Sequence, residues 1–90
     1  LIYQLNPITG TVIRSFVAPA TQGVDLTWDG RMLWHTDPIA NLIYQIAPLT
    51  GTIIRSFPEP GDYAYGLAWD GRTLWLCDAS RDMIYQLAVN

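Results

Sequence analysis

The sequence predicts an all-β chain built from four-stranded antiparallel sheets, and three observations predict it. The segment "IYQ" begins at Ile2, Ile43 and Ile84, a spacing of 41 residues both times. Between these points lie short apolar runs bounded by Gly, Pro, Asp and Ser, which is the pattern of strands and turns. No window between the turn signals holds a sustained 3.6-residue apolar stripe, so helix is not expected.

The elements of one repeat can be taken in order. "GLAW" at Gly66 to Trp69 is the first expected strand. "DGR" at Asp70 to Arg72 supplies the Asp-Gly pair that turns a hairpin, because glycine accepts the positive φ such a turn needs. "LWLC" at Leu74 to Cys77 is the second strand, "DASRD" a polar connection, and Met83 to Leu87 the third strand. One repeat earlier, Tyr44 to Ile46 is that same third strand, "APLTGT" turns the chain, and Ile53 to Phe57 makes the fourth. "GLAW" and "LWLC" are apolar on both parities, so both faces of each sheet are expected to be covered.

Residues 1–41 slide onto 42–82 without a gap, and 21 of the 41 pairs are identical. That level of identity marks a duplication: repeat one is 1–41, repeat two 42–82, and 83–90 is an extra strand. The copies differ mainly in two windows, 17–25 against 58–66 and 38–42 against 79–83. A fixed scaffold with variable loops gives this pattern.

Composition narrows the function. The net charge is −3 and all five basic residues are Arg, which argues against a nucleic-acid surface and its basic stripe. No apolar run approaches the roughly 18 residues of a membrane span. No basic stretch precedes an apolar one in the manner of a signal peptide. With Leu1 in place of an initiating Met, an excised or processed piece is expected. A single cysteine, Cys77, excludes an intramolecular disulfide and a multi-cysteine zinc site, and in "LWLCD" it is expected as a buried, inert thiol.

A four-stranded antiparallel unit of about 40 residues, covered on both faces by copies of itself, is a β-propeller blade. The run "GLAWDGRTLWLCDASRDMIYQL", with "P-x-TGT-x-IRSF", resembles blades of the bacterial and archaeal propellers grouped with NHL, YVTN and streptogramin-lyase-like repeats. It is also similar to the propeller of plant-type glutaminyl cyclotransferases. The resemblance spans essentially the whole chain. It does not extend to WD repeats, since "WD" here ends the innermost strand and enters a Gly turn. A ring of roughly six to eight blades is what the resemblance implies, whereas this chain holds two blades' worth.

With strands lettered A to D from the axis outward, the chain runs C, D, then A, B, C, D, then A, B, C. The surplus strand is a C strand. An open pair of blades would expose Trp28, Trp34, Trp69, Trp75 and unpaired strand edges, and such patches are rare on monomers. The expected partner is therefore the chain itself, in a closed head-to-tail ring of three or four copies.

On propeller geometry the connections Val17 to Gly23, Asp37 to Asn41, Pro58 to Ala64 and Asp78 to Asp82 share one rim. They contain or flank Gln22, Asp25, His35, Tyr63, Tyr65 and Arg81, the candidate ligand-binding residues, with a small molecule or glycan as the candidate ligand. Ordinary drift of exposed loops explains the same divergence and carries more weight. His35 is the single histidine; as a general base it would need Asp37 to orient it, and a hydrogen-bonded structural imidazole is the stronger expectation. Asp29, Asp70, Asp37 and Asp78 fit turn positions better than metal ligation. Arg14 and Arg55, on the outermost strand, are expected to guard an edge with charge. No cofactor, metal or catalytic residue is expected. The leading functional reading is non-enzymatic self-assembly. The alternatives are a binding module from a longer bacterial propeller and an inactive fragment of a propeller lyase or cyclotransferase.

Overall fold

A computed structural model describes residues 1–19 and 23–89. Its nine strands are β1 (Ile2–Leu5), β2 (Val12–Phe16), β3 (Leu26–Trp28), β4 (Leu33–Asp37), β5 (Leu42–Ile46), β6 (Ile53–Pro58), β7 (Ala64–Trp69), β8 (Leu74–Asp78) and β9 (Met83–Leu87). Among the described residues there is no helix. The strands form three antiparallel sheets in chain order: a first of β1-β2, a middle of β3-β4-β5-β6, and a third of β7-β8-β9. This two, four, three division is the one the repeat predicts. The first strand of the third sheet is longer than expected. It begins at Ala64, with an irregularity before Gly66 where the register shifts.

The turns follow from side chains that recur with the repeat. Asp29 Oδ1 accepts the N–H groups of Arg31 and Met32, each at 2.8 Å. Asp70 Oδ1 does the same for Arg72 and Thr73. The glycine after each aspartate has φ of +98° and +102°, a conformation that other residues reach only with strain. The second oxygen of each aspartate accepts the indole N–H of the tryptophan five residues on, Trp34 at 2.9 Å and Trp75 at 2.8 Å. One carboxylate thus closes the hairpin and fixes the tryptophan rotamer. The connections after β4 and β8 end on Asn41 and Asp82, both near φ +55°, and Asn and Asp tolerate this left-handed region better than most residues.

The sheets pack face to face. Strand alternation divides the middle sheet into one face with Trp34 and Ile43 and an opposite face with Tyr44 and Ile46. The first face joins Ala64, Leu74, Leu76 and Val89 in one core, with Phe57, Leu67, Trp69, Tyr85 and Leu87 packed around it. The second joins Ile2, with Phe16, Ala18, Leu33 and Leu42 around it. The turn glycine Gly51 is pressed against the first sheet: a Cβ there would lie 2.6 Å from the Phe16 ring. Its counterpart Gly10 has open space.

Only the middle sheet has another sheet packed on each side, and this departs from the expectation that every sheet face would be covered. The outer faces of the first and third sheets are open. Cys77, expected inside, is exposed for this reason: it points from β8 away from the core face. Arg55 stands exposed on the edge strand β6 and makes a further contact. Its guanidinium lies over the Trp34 ring, 5.4 Å from the centroid, because Trp34, Gln45 and Arg55 stand in one row across β4, β5 and β6.

Ile43 is fully buried between two sheets, whereas Ile54 on β6 is half exposed. Truncation of Ile43 to Ala is expected to cost about 2–5 kcal/mol, and Ile54→Ala about 0.5 kcal/mol or less. Urea denaturation of the two variants checks this difference.

Candidate functional site

Two regions are candidates: the loops at one end of the sheets and the open sheet faces. The loops are organised by Asp78, a fully buried residue. Its carboxylate accepts the N–H groups of Asp62 at 3.1 Å and Tyr63 at 3.3 Å, and both the N–H and the hydroxyl of Ser80 at 3.0 Å. Burial alone would raise the Asp78 pKa, but these bonds favour the ionised form and leave it below the ordinary value. A Cβ at Gly61 would fall 1.7 Å from Asp78 Oδ2, so glycine is what lets the loop close on the carboxylate. Ala79 N–H donates to the Tyr63 carbonyl and Glu59 N–H to that of Asn41. The Asn41 amide, oriented to donate, reaches the carbonyls of Pro38 at 3.0 Å and Asp62 at 2.8 Å. The connections after β4, β6 and β8 therefore meet at one end of the molecule.

Glu59 lies within this network, buried, with Oε2 lacking a hydrogen-bond partner. Desolvation, then the charges of Asp78 and Asp62, push its pKa up. Tyr63 and Tyr65 meet edge to face, their centroids 4.7 Å apart. Arg81 pairs with Asp62 at 3.2 Å, both side chains largely in solvent, where such a pair stabilises little.

Asp25 and His35 form a separate group. Asp25 Oδ2 accepts the Leu67 N–H at 2.7 Å, tying the segment that leads into β3 to β7 of the third sheet. His35 Nδ1 lies 2.9 Å from the Asp25 carbonyl oxygen; a carbonyl only accepts, so Nδ1 carries the hydrogen. Nε2 is buried without a partner and faces Gly23, where a Cβ would sit 1.9 Å from it. The expected partner Asp37 is not the orienting group. Its Oδ1 accepts the N–H groups of Ile39 and Ala40, as a turn aspartate does. Asp25 and His35 line a hollow of about 490 Å³ with Leu1, Ile2 and Gly23. Gln22 lies outside the described residues. Among the described residues no three His, Cys, Asp or Glu side chains gather so as to hold a metal ion.

The open faces are best measured against the covered one, since the repeat places the same residue types in both. Trp34 and Ile43 of the middle sheet are 0% exposed; their counterparts in the third sheet, Trp75 and Ile84, are 37% and 70% exposed. On the other side, Tyr44 is 9% exposed and its counterpart Tyr3 in the first sheet 55%. A groove of about 380 Å³ runs where the first sheet has no strands beside β1, between Tyr3, Arg14 and Phe16 on one side and Leu33 with the exposed Leu26 and Trp28 on the other. Arg14 Nε is buried there with no hydrogen-bond partner. Of the four tryptophans expected on open faces, Trp28 and Trp75 are exposed while Trp34 is buried, and sequence reasoning gave Arg14 only an edge role; its identity with Arg55 and the "YQ" before each turn were the available signal.

Comparison with protein-family models, with curated proteins and with solved structures finds no match to this chain.

Folding raises the Glu59 pKa, so its charge opposes folding at neutral pH. That cost is absent below about pH 4, the ordinary glutamate range, and grows as pH rises toward the folded value. Glu59→Gln is expected to raise the melting temperature at pH 7 and to leave it unchanged near pH 4. Thermal denaturation followed by circular dichroism at both pH values checks this.

Proposed function

We propose that this chain is a non-enzymatic β-propeller segment whose activity is self-association. The open Trp75 and Ile84 face of the third sheet in one copy is covered by the next copy, and three or four copies close a ring. The observation that carries this reading is the contrast between Ile43 and Ile84, the same residue at the same register, buried in one sheet and 70% exposed in the other. Trp34 and Trp75 repeat the contrast.

The faces also match in kind. Within the molecule, the Trp34 and Ile43 face of one sheet always meets the face of the next that carries Leu67, Tyr85 and Leu87 or their counterparts. The third sheet leaves the first type of face open and the first sheet leaves the second. Head-to-tail association covers both, and a rotation that repeats at every sheet closes a ring. The open space at Gly10, where Gly51 meets Phe16, is accounted for by a Phe57 from the neighbouring copy. Apolar area of this extent, left in water, would be unusual for a monomer.

Sedimentation equilibrium at micromolar concentration is expected to give a mass three or four times that of one chain. Ile84→Arg, which alters a mostly exposed residue, is expected to return the mass to one chain while the far-ultraviolet circular dichroism is retained. A wild-type chain that sediments as a folded monomer would refute the proposal.

A further inference from the structure

The first and third sheets each hold part of one repeat, and the middle sheet shows how the parts fit. There, Trp34, Gln45 and Arg55 form a row across three strands. Arg55 lies over the indole, its Nε–H donates to Gln45 Oε1 at 2.9 Å, and its Nη2 donates to the Val89 carbonyl. The third sheet repeats the first two members of the row, Trp75 and Gln86, and has no fourth strand to supply the third. The first sheet holds that third member. Arg14 stands opposite Gln4, with Nε buried and unpartnered, while Trp75 presents an exposed indole.

We propose that β2 of a second copy adds to the free edge of β9, completing one sheet from two molecules and laying Arg14 of the incoming copy over Trp75. This rests on the self-association proposed above and names the strands and the contact that close it. The register copies the middle sheet, where Gln45 faces Arg55, Tyr44 faces Ser56 and Ile43 faces Phe57. Across the junction Gln86 therefore faces Arg14, Tyr85 faces Ser15 and Ile84 faces Phe16.

The three copies of the "IYQ" strand then have a use. β1 and β9 are equivalent in sequence, and only one can occupy the place between β8 and the incoming β2. β9 keeps it. Val89, just beyond its end, is buried in the core between the middle and third sheets, and Arg55 holds the Val89 carbonyl. Of β1 only Ile2 is buried, and Ile84 of the receiving copy brings an identical side chain to that position. β1 of the incoming copy is displaced. The same addition covers Trp75 and gives the Arg14 guanidinium the Gln86 side chain that Gln45 gives Arg55. An arginine over an indole is attracted by the negative face of the ring, and the flat guanidinium still leaves its edge free to donate.

The test is disulfide trapping in a Cys77→Ser background, carrying Ser15→Cys and Tyr85→Cys together. β2 and β9 lie in sheets separated by the middle one, so a bond between these positions within one chain is excluded. Mild oxidation is expected to link chains covalently, read as multiples of the chain mass on a non-reducing gel. The competing arrangement, β1 in the central place, puts Tyr3 opposite Leu76, and linkage of a Tyr3→Cys, Leu76→Cys pair in preference to the first would overturn the proposal. So would a ring of the expected mass in which neither pair links, which leaves self-association standing. A single-chain mass before oxidation would instead overturn self-association itself. As an independent reading, Arg14→Ala is expected to weaken association at least tenfold in the wild-type chain and to have little further effect once Trp75 is replaced by Leu. Equal losses in both backgrounds would place Arg14 away from the indole.

Discussion

The rest of the structure depends on one constraint: a sheet whose strands are apolar on both parities has to be covered on both faces. The middle sheet meets the constraint. Trp34 and Ile43 vanish beneath the third sheet, and Tyr44 and Ile46 beneath the first. Each core joins residues of both repeats, and each sheet depends on its neighbour for cover, which is the usual energetics of stacked repeats. The open outer faces are the same constraint left unmet, and they drive the proposed association.

Around that constraint the polar residues act as fixtures. Asp29 and Asp70 each close a hairpin with one oxygen and hold a tryptophan with the other. Asp78 gathers two loops, and Asp25 reaches from one sheet to the backbone of another. Their bonds hold Asp29, Asp70 and Asp78 below the ordinary carboxylate range: burial opposes this most strongly at Asp29 and Asp78, and the Thr73 backbone bond leads at Asp70. Groups shifted this way stabilise the fold above about pH 4 and lose that contribution as pH falls through their folded values. Glu59 runs opposite, its charge opposing folding at neutral pH.

Much of this was legible in the sequence. The 41-residue spacing located all nine strands, and the two Asp-Gly turns fell where expected because the Asp side chain and glycine backbone decide them locally. What failed were judgements about neighbours in space. Cys77 looked buried because "LWLC" is apolar, but nothing covers that side of β8. Arg55 is the edge-strand charge expected, but its alignment with Trp34 emerges only from pairing across three strands. His35 is the hydrogen-bonded imidazole expected, but its partner is the Asp25 carbonyl, because the turn after β4 claims the Asp37 carboxylate. The loop residues proposed as a binding rim divide into two groups, Asp25 with His35 and Tyr63 with Tyr65 and Arg81, a division set by which connections meet.

The central claim is that the outer faces are covered by other copies of the chain, and hydrogen exchange along β9 tests it most directly. β5 holds the corresponding place in the middle sheet, with a strand on each side, and serves as the internal reference. At high protein concentration the β9 amides are expected to exchange as slowly as those of β5, and on dilution to lose protection while β5 keeps it. Rapid exchange at β9 that does not change with concentration, in a folded chain, would contradict the account.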